Sequence, residues 1–176
     1  MGDSKTDFFG YQPTLLSNLD ALGNWDRIDW APELASPGWT SQSLFQQAPA
    51  WTAGGLTPDF ILVNIGINDA GITSQANYEL WLGGALDTAH AKWPSAKLLV
   101  MRVWGQGHDA QCNAIDDVWI PDVLATRSPW ATAGPDERVV LKDGDNGASR
   151  TIPPGIHPNT FGYALTAAAW QASMGY

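Results

Sequence analysis

The sequence predicts an α/β fold, a mainly parallel sheet covered by helices, from three observations. Short apolar runs alternate with amphipathic ones along the chain. Two of these runs, Phe60 to Ile65 and Lys97 to Val103, are short, mostly apolar and followed by glycine or polar residues, as buried parallel strands are. The segment between them places Leu82, Ala85, Leu86, Ala89 and Trp93 at helical spacing and stops at Pro94, which closes one β-α-β unit.

The remaining elements follow in order. Pro13 to Leu22 reads as a first helix and Trp25 to Trp30 as a weak strand; the crossover helix spans Asn77 to Trp93. From Gly105 to Arg127 the periodicity is poorer. The stretch from Pro129 to Pro154 is rich in Gly, Pro, Asp and Asn, which predicts long loops over one end of the sheet, with one short strand at Arg138 to Leu141. Asn159 to Met174 reads as a C-terminal helix. There is no internal repeat, and 176 residues suit a single domain spanning 1–176.

Composition narrows the function. A formal net charge of -9 with only nine Lys and Arg argues against nucleic acid or an anionic membrane as partner, since basic side chains hold both. A neutral or cationic ligand is easier to accommodate. Cys112 is the single cysteine, so neither an intrachain disulfide nor a Cys-rich zinc site is available. The sequence shows no bilayer-length apolar stretch and no signal peptide before Gly2, so the chain as given is expected to be soluble, with its compartment open.

Two groups stand out chemically. Ser4 follows Gly2-Asp3 shortly before the first helix, where a tight turn could present its hydroxyl; a serine needs a base beside it to act as a nucleophile. Of three histidines, His157 is the best base, on a loop that runs through Pro158-Asn159 into the last helix. His90 falls inside a helix and His108 in a Gly-rich loop. Asp3 reads as structural, holding the serine turn through backbone N–H groups. Taken singly, Gly-Asp-Ser is an ordinary turn and a loop histidine is ordinarily solvated.

Four blocks in this order resemble those of the SGNH (GDSL-type) hydrolases: Gly2-Asp3-Ser4, Gly38 within Pro37-Gly38-Trp39-Thr40-Ser41, Gly66-Ile67-Asn68-Asp69, and Gly155-Ile156-His157-Pro158-Asn159 with Gly162. The resemblance covers most of the chain. It implies a three-layer α/β/α domain with a flavodoxin-like sheet, an acyl-enzyme on Ser4, and His157 as general base. It further implies an oxyanion hole of the Ser4 and Gly38 amides and the Asn68 side chain. Three preorganised donors of this kind can each lower a barrier by about 3 kcal/mol. No Gly-x-Ser-x-Gly elbow occurs, which disfavours the ordinary α/β-hydrolase arrangement.

The chain departs from the family pattern twice. The triad acid normally stands three residues before the histidine, where this sequence has Pro154. The Pro154 carbonyl could still accept from Nδ1 and fix the tautomer; Asp143 or Asp145 could fold back to serve instead; or the substitution has ended catalysis. Second, Met1 stands where the family has a central strand leading into the serine turn, so the first central strand is missing from the sequence. Another segment filling the slot, or strand exchange within a homodimer, would relieve the gap.

Ten tryptophans are the other unusual count, mostly suited to core or lid packing. Trp39 and Trp104 are placed where a site could use flat faces for sugar rings or aryl esters, with Trp119 or Trp130 as further candidates. His108, Asp109 and Cys112 make a weak zinc signal without a fourth ligand, and the acidic stretch from Asp143 to Asn146 falls short of a calcium loop. No metal or cofactor is called for. The sequence thus points to a serine esterase for small acetyl or aryl esters, carbohydrate esters included. A catalytically degenerate, Trp-lined carbohydrate-binding module on the same fold is the alternative.

Overall fold

The structure is a computed structural model describing residues 1–7, 10–23, 34–52, 55, 57–142, 146–153 and 155–176. Its main sheet pairs β1 (Phe60–Val63), β2 (Lys97–Arg102) and β3 (Ala131–Asp136), all parallel, in the order β1-β2-β3. Along β1 and β2 the side chains alternate between two cores. Ile61, Val63, Leu98 and Val100 face one core with Leu44, Leu82, Leu86, Ile115 and Val123, from α3 (Ser41–Gln47), α4 (Gln75–Lys92) and the helical segment after β2. Phe60, Leu62, Leu99 and Met101 face the other, with Leu15, Leu19, Ala167 and Trp170 from α2 (Gln12–Asp20) and α7 (Thr160–Ser173). Burial on both faces is why these strands read as continuous apolar runs. The result is the expected three-layer α/β/α arrangement.

The central position expected to lack a strand is held by Met1 and Gly2. Gly2 forms parallel bridges to Ala35 on one side and Asn64 on the other. Four backbone hydrogen bonds carry them: Gly2 N–H to Leu34 O (3.0 Å), Ser36 N–H to Gly2 O (3.2 Å), Asn64 N–H to Met1 O (2.9 Å) and Asp3 N–H to Asn64 O (3.2 Å). The approach is so close that a Cβ on Gly2 would lie 2.2 Å from the Asn64 carbonyl oxygen, which excludes any side chain there. The chain then turns directly into α1 (Ser4–Asp7).

Three elements differ from expectation. The third sheet strand is Ala131–Asp136, not Arg138–Leu141, which instead lies in a turn of π-helix over Arg138–Lys142. Ala131-Thr132-Ala133-Gly134-Pro135-Asp136 lacks the bulky β-branched pattern. Among the described residues it pairs with β2 alone, so the missing Pro135 N–H is tolerated, and Gly134 lets the Trp170 ring of α7 lie on the sheet, where a Cβ would come 2.8 Å from it. Second, the poorly periodic stretch after β2 is helical: α5 (Asp109–Ala114), a π turn (Ile115–Trp119) and α6 (Ile120–Ala125) run on without a break. Pro121 stands just past the π turn, where the Ile120 N–H bonds five residues back to the Ile115 carbonyl and the hydrogen-bond register changes. Third, Thr151–Ile152 (β4) and His157–Pro158 (β5) form a small antiparallel ladder inside the predicted loop region. The predicted strand at 25–30 lies outside the described residues. Among the described residues no helix is long and apolar enough to cross a membrane.

The carboxyl ends of the strands are fastened together by buried carboxylates. Glu137, just past β3, accepts from the Trp104 N–H (2.9 Å) past β2, from Asn64 Nδ2 (3.4 Å) past β1, and from Lys5 Nζ (2.5 Å) in α1. Asp116 on the π turn accepts from the Val103 N–H (2.8 Å), with Arg138 Nε 3.4 Å from its other oxygen. Burial pushes the Asp116 carboxyl up to about 8, and the Val103 bond and Arg138 only partly oppose it. Burial likewise raises Asp3 to about 7. Groups whose folded-state values lie above their ordinary ones stabilise the fold at low pH, and that contribution is lost as pH rises through the folded values. Urea unfolding should therefore show stability falling from about pH 5 to pH 8, and Asp116→Asn, which keeps an acceptor for Val103, should make that fall shallower.

Candidate active site

Ser4 opens α1 immediately after the bridged Gly2, and Asp3 shapes the turn by accepting the Lys5 N–H on Oδ1 (3.0 Å) and the Thr6 N–H on its carbonyl (3.0 Å). This is the short-range side-chain bond that favours Asp at the start of a helix. The far end of α1 is held by Gln12 Nε2, which donates to the Thr6 carbonyl. Ser4 is 7% exposed, so its hydroxyl has a nearly fixed environment.

His157 reaches it from the other end of the chain. The β4–β5 ladder sets Ile152 opposite His157, and Asn159 then caps α7 by accepting the Gly162 N–H (2.9 Å) while its Nδ2 donates to Ser149 O (2.9 Å). Those contacts explain the Asn159 and Gly162 of the last sequence block. His157 Nε2 lies 2.8 Å from Ser4 Oγ. Burial, aided by the nearby Lys5 charge, lowers the imidazole below its ordinary 6.5, so it is neutral at pH 7 and able to accept a proton.

The second and third blocks form the facing wall. Gly38 has φ +79°, a conformation that side chains rarely adopt, and lies in the turn closed by Trp39 N–H to Ser36 O (3.2 Å). Asn68 Nδ2 donates to Trp39 O (2.9 Å). Asp69 accepts from the Ser41 N–H (2.9 Å), Ser41 Oγ (2.6 Å) and Thr73 Oγ1 (3.0 Å). Its burial raises its pKa although these bonds favour the charged form. Asn68 and Asp69 thus bind the Gly38 loop to the end of β1, and the Ser36 bond to Gly2 ties the same loop to the serine turn.

The aromatic expectations divide. Trp39 is half-buried beside the Gly38 turn. Trp104 is not a surface platform: it is 0% exposed, its indole donates to Asp109 Oδ1 (3.0 Å), and its backbone is held by Glu137 and Lys5. A tryptophan directly after a buried strand is placed by the core, a reading that position alone did not separate from a binding role. Trp119 packs on Tyr78 with ring centroids 5.5 Å apart. Trp130 stacks on His90 at 4.1 Å, and its carbonyl accepts the Leu98 N–H at the amino end of the sheet, away from Ser4. Pro154, Asp143 and Asp145, the candidates for orienting His157, lie outside the described residues. Asp109 is committed to Trp104 and Lys142, and burial pushes the Cys112 thiol up to about 11, which does not suit a thiolate ligand. The sequence reading missed Lys5 and Glu137; the available signal was a lysine directly after the candidate nucleophile in a chain with few basic residues.

A serine and a histidine 2.8 Å apart at the carboxyl edge of a parallel sheet are consistent with a catalytic pair. The model of the GDSL-like lipase/acylhydrolase family matches residues 1–165, and the chain belongs to that family. No curated protein matches the chain. Among solved structures it is similar to a carbohydrate esterase family 3 protein from Talaromyces cellulolyticus (18% identity, 99% of this chain and 93% of that one, TM-score 0.78). It is also similar to a family 3 carbohydrate esterase from Clostridium thermocellum (19%, 99% and 92%, 0.71). A member of the lipolytic G-D-S-L family from Veillonella parvula is a third (17%, 97% and 93%, 0.71). At these identities the likeness shows the esterase-type hydrolase fold.

Because Asp69 is the common anchor of the second and third blocks, Asp69→Ala should cost roughly 2–3 kcal/mol in urea unfolding, the range for lost charge-assisted hydrogen bonds.

Proposed function

We propose that the protein is a serine esterase acting on short-chain carboxylic esters, acetyl or aryl, with carbohydrate acetates included. The observation that carries this reading is the 2.8 Å contact between Ser4 Oγ and His157 Nε2. In the forward step Oγ bonds to the ester carbonyl carbon while its proton passes to Nε2. In this reading the resulting alkoxide is stabilised by the Ser4 and Gly38 amides and by the Asn68 carboxamide, whose Nδ2 also donates to Trp39 O (2.9 Å). The imidazolium then protonates the leaving alcohol, leaving an acyl group on Ser4. Water, deprotonated by the same imidazole, releases the carboxylic acid and restores the serine. The named carbohydrate esterases among the structural neighbours support the substrate class.

The alternative, a non-catalytic Trp-lined binding module, is weakened by Trp104, whose ring is enclosed by the core. Trp39, next to Gly38 and half-buried, would contact the alcohol portion of a substrate.

Hydrolysis of p-nitrophenyl acetate by the wild-type chain should vanish in Ser4→Ala. Its kcat/KM should rise through one ionisation below 6.5, the ordinary histidine value, and then stay level through neutral pH, because the base works when unprotonated. Equal rates in the two proteins, both folded, would sink the reading. Asn68→Ala should lower kcat by about 10²–10³-fold with a smaller change in KM.

A further inference from the structure

The Lys5–Glu137 ion pair lies outside the chemistry above. Both side chains are 1% exposed, and Lys5 Nζ donates to Glu137 Oε2 (2.5 Å) and to the Trp104 carbonyl (2.7 Å). Stability gives no reason for such a pair, since burying two ions costs several kcal/mol each and well-packed apolar residues of similar volume commonly do as well or better. Position does give one. Lys5 is the residue after the nucleophile, whereas Glu137 also takes the Trp104 N–H and Asn64 Nδ2, so the pair joins the serine turn to the carboxyl ends of three strands.

We propose that the Lys5–Glu137 pair is a positioning device for the reaction: it fixes the turn that carries Ser4 and keeps the Lys5 ammonium one residue from the serine that meets His157. This rests on the serine esterase reading. The ammonium occupies a site with two acceptors, so α1 cannot shift or rotate without breaking a charge-assisted bond in a nearly dry environment. The same charge disfavours imidazolium at His157 and so keeps the base ready to accept the serine proton. The other titratable groups around the pair are Asp3 on the turn, Cys112 on α5, Asp116 on the π turn, and Tyr11 and Tyr163 from the α2 and α7 side. Among the described residues, Lys5 is a cation that acts on His157.

The test is the double variant Lys5→Leu/Glu137→Leu, which removes both charges and leaves neither ion uncompensated. Three quantities are measured beside wild type: the urea midpoint, kcat and KM for p-nitrophenyl acetate, and the His157 ring titration by NMR. The expected result is a folded protein with KM little changed, kcat lower by about 10²-fold, as for a misplacement of about 1 Å, and a His157 midpoint moved upward. Unchanged kcat and an unchanged midpoint in the folded variant would overturn the proposal. If the double variant does not fold, Lys5→Arg decides. It keeps the charge but not the fit to both acceptors, so kcat should fall while the midpoint stays low, and wild-type kcat would overturn the proposal. Absence of Ser4-dependent turnover in wild type would instead sink the esterase reading, and the NMR midpoint would still decide whether the pair acts on His157.

Discussion

The site depends on the backbone of Gly2, which is hydrogen-bonded on both sides within the sheet. Two residues give little buried area, so hydrogen bonding rather than packing holds the serine turn in the middle of the carboxyl edge. With Leu34 and Ser36 on one side and Asn64 on the other, the turn inherits the rigidity of the strands it lies between. The other components meet Ser4 there: His157 from the β4–β5 ladder, the Gly38 loop through Ser36, and Asn68 at the end of β1.

The electrostatics follow from that convergence. Parallel strands ending side by side bring Asp3, Asp69, Asp116 and Glu137 into the same buried zone, in a chain that already carries a net charge of -9. Each carboxylate is accommodated by backbone or side-chain donors that would otherwise go unpaired where the strands stop. Asp69 serves the start of α3, Asp116 serves the Val103 amide and Glu137 serves the Trp104 amide. Burial raises Asp3, Asp69 and Asp116 above their ordinary range, and Lys5, next to Ser4, opposes the rise at Asp3.

The sequence was legible where one cause dominated. β1, β2, α4 and α7 are set by two-sided burial or by a clear start and stop: Ser74 accepts the Asn77 N–H at the start of α4, and Asn159 caps α7. Ser4, Gly38, Asn68 and His157 could be singled out because their short blocks stand in a recognisable order, and the fold brings Ser4 and His157 to 2.8 Å. The reading failed where neighbours decide. Ala131–Asp136 is a strand because β2 is beside it and Trp170 lies on Gly134, although its own residues are small. The 109–125 region is helical through a π turn that no simple periodicity describes. Arg138–Leu141 has an apolar centre yet coils, with Asp136, Asp117 and Asn113 binding the Arg138 side chain. Lys5 and Glu137 are 132 residues apart, and only the fold pairs them.

The docking of Trp170 on Gly134 makes α7 a lever. Its fulcrum is the Asn159 cap, two residues beyond His157, and its load point is some ten residues further on. With a rise of 1.5 Å per residue that arm is about 15 Å, so a shift of 1 Å at the indole turns the helix by about 4° about the cap. A substitution on the far side of β3 would thus reach the imidazole as a rotation rather than as a lost contact. The back of the sheet and His157 are therefore joined by one rigid helix, whose cap lies two residues beyond the imidazole.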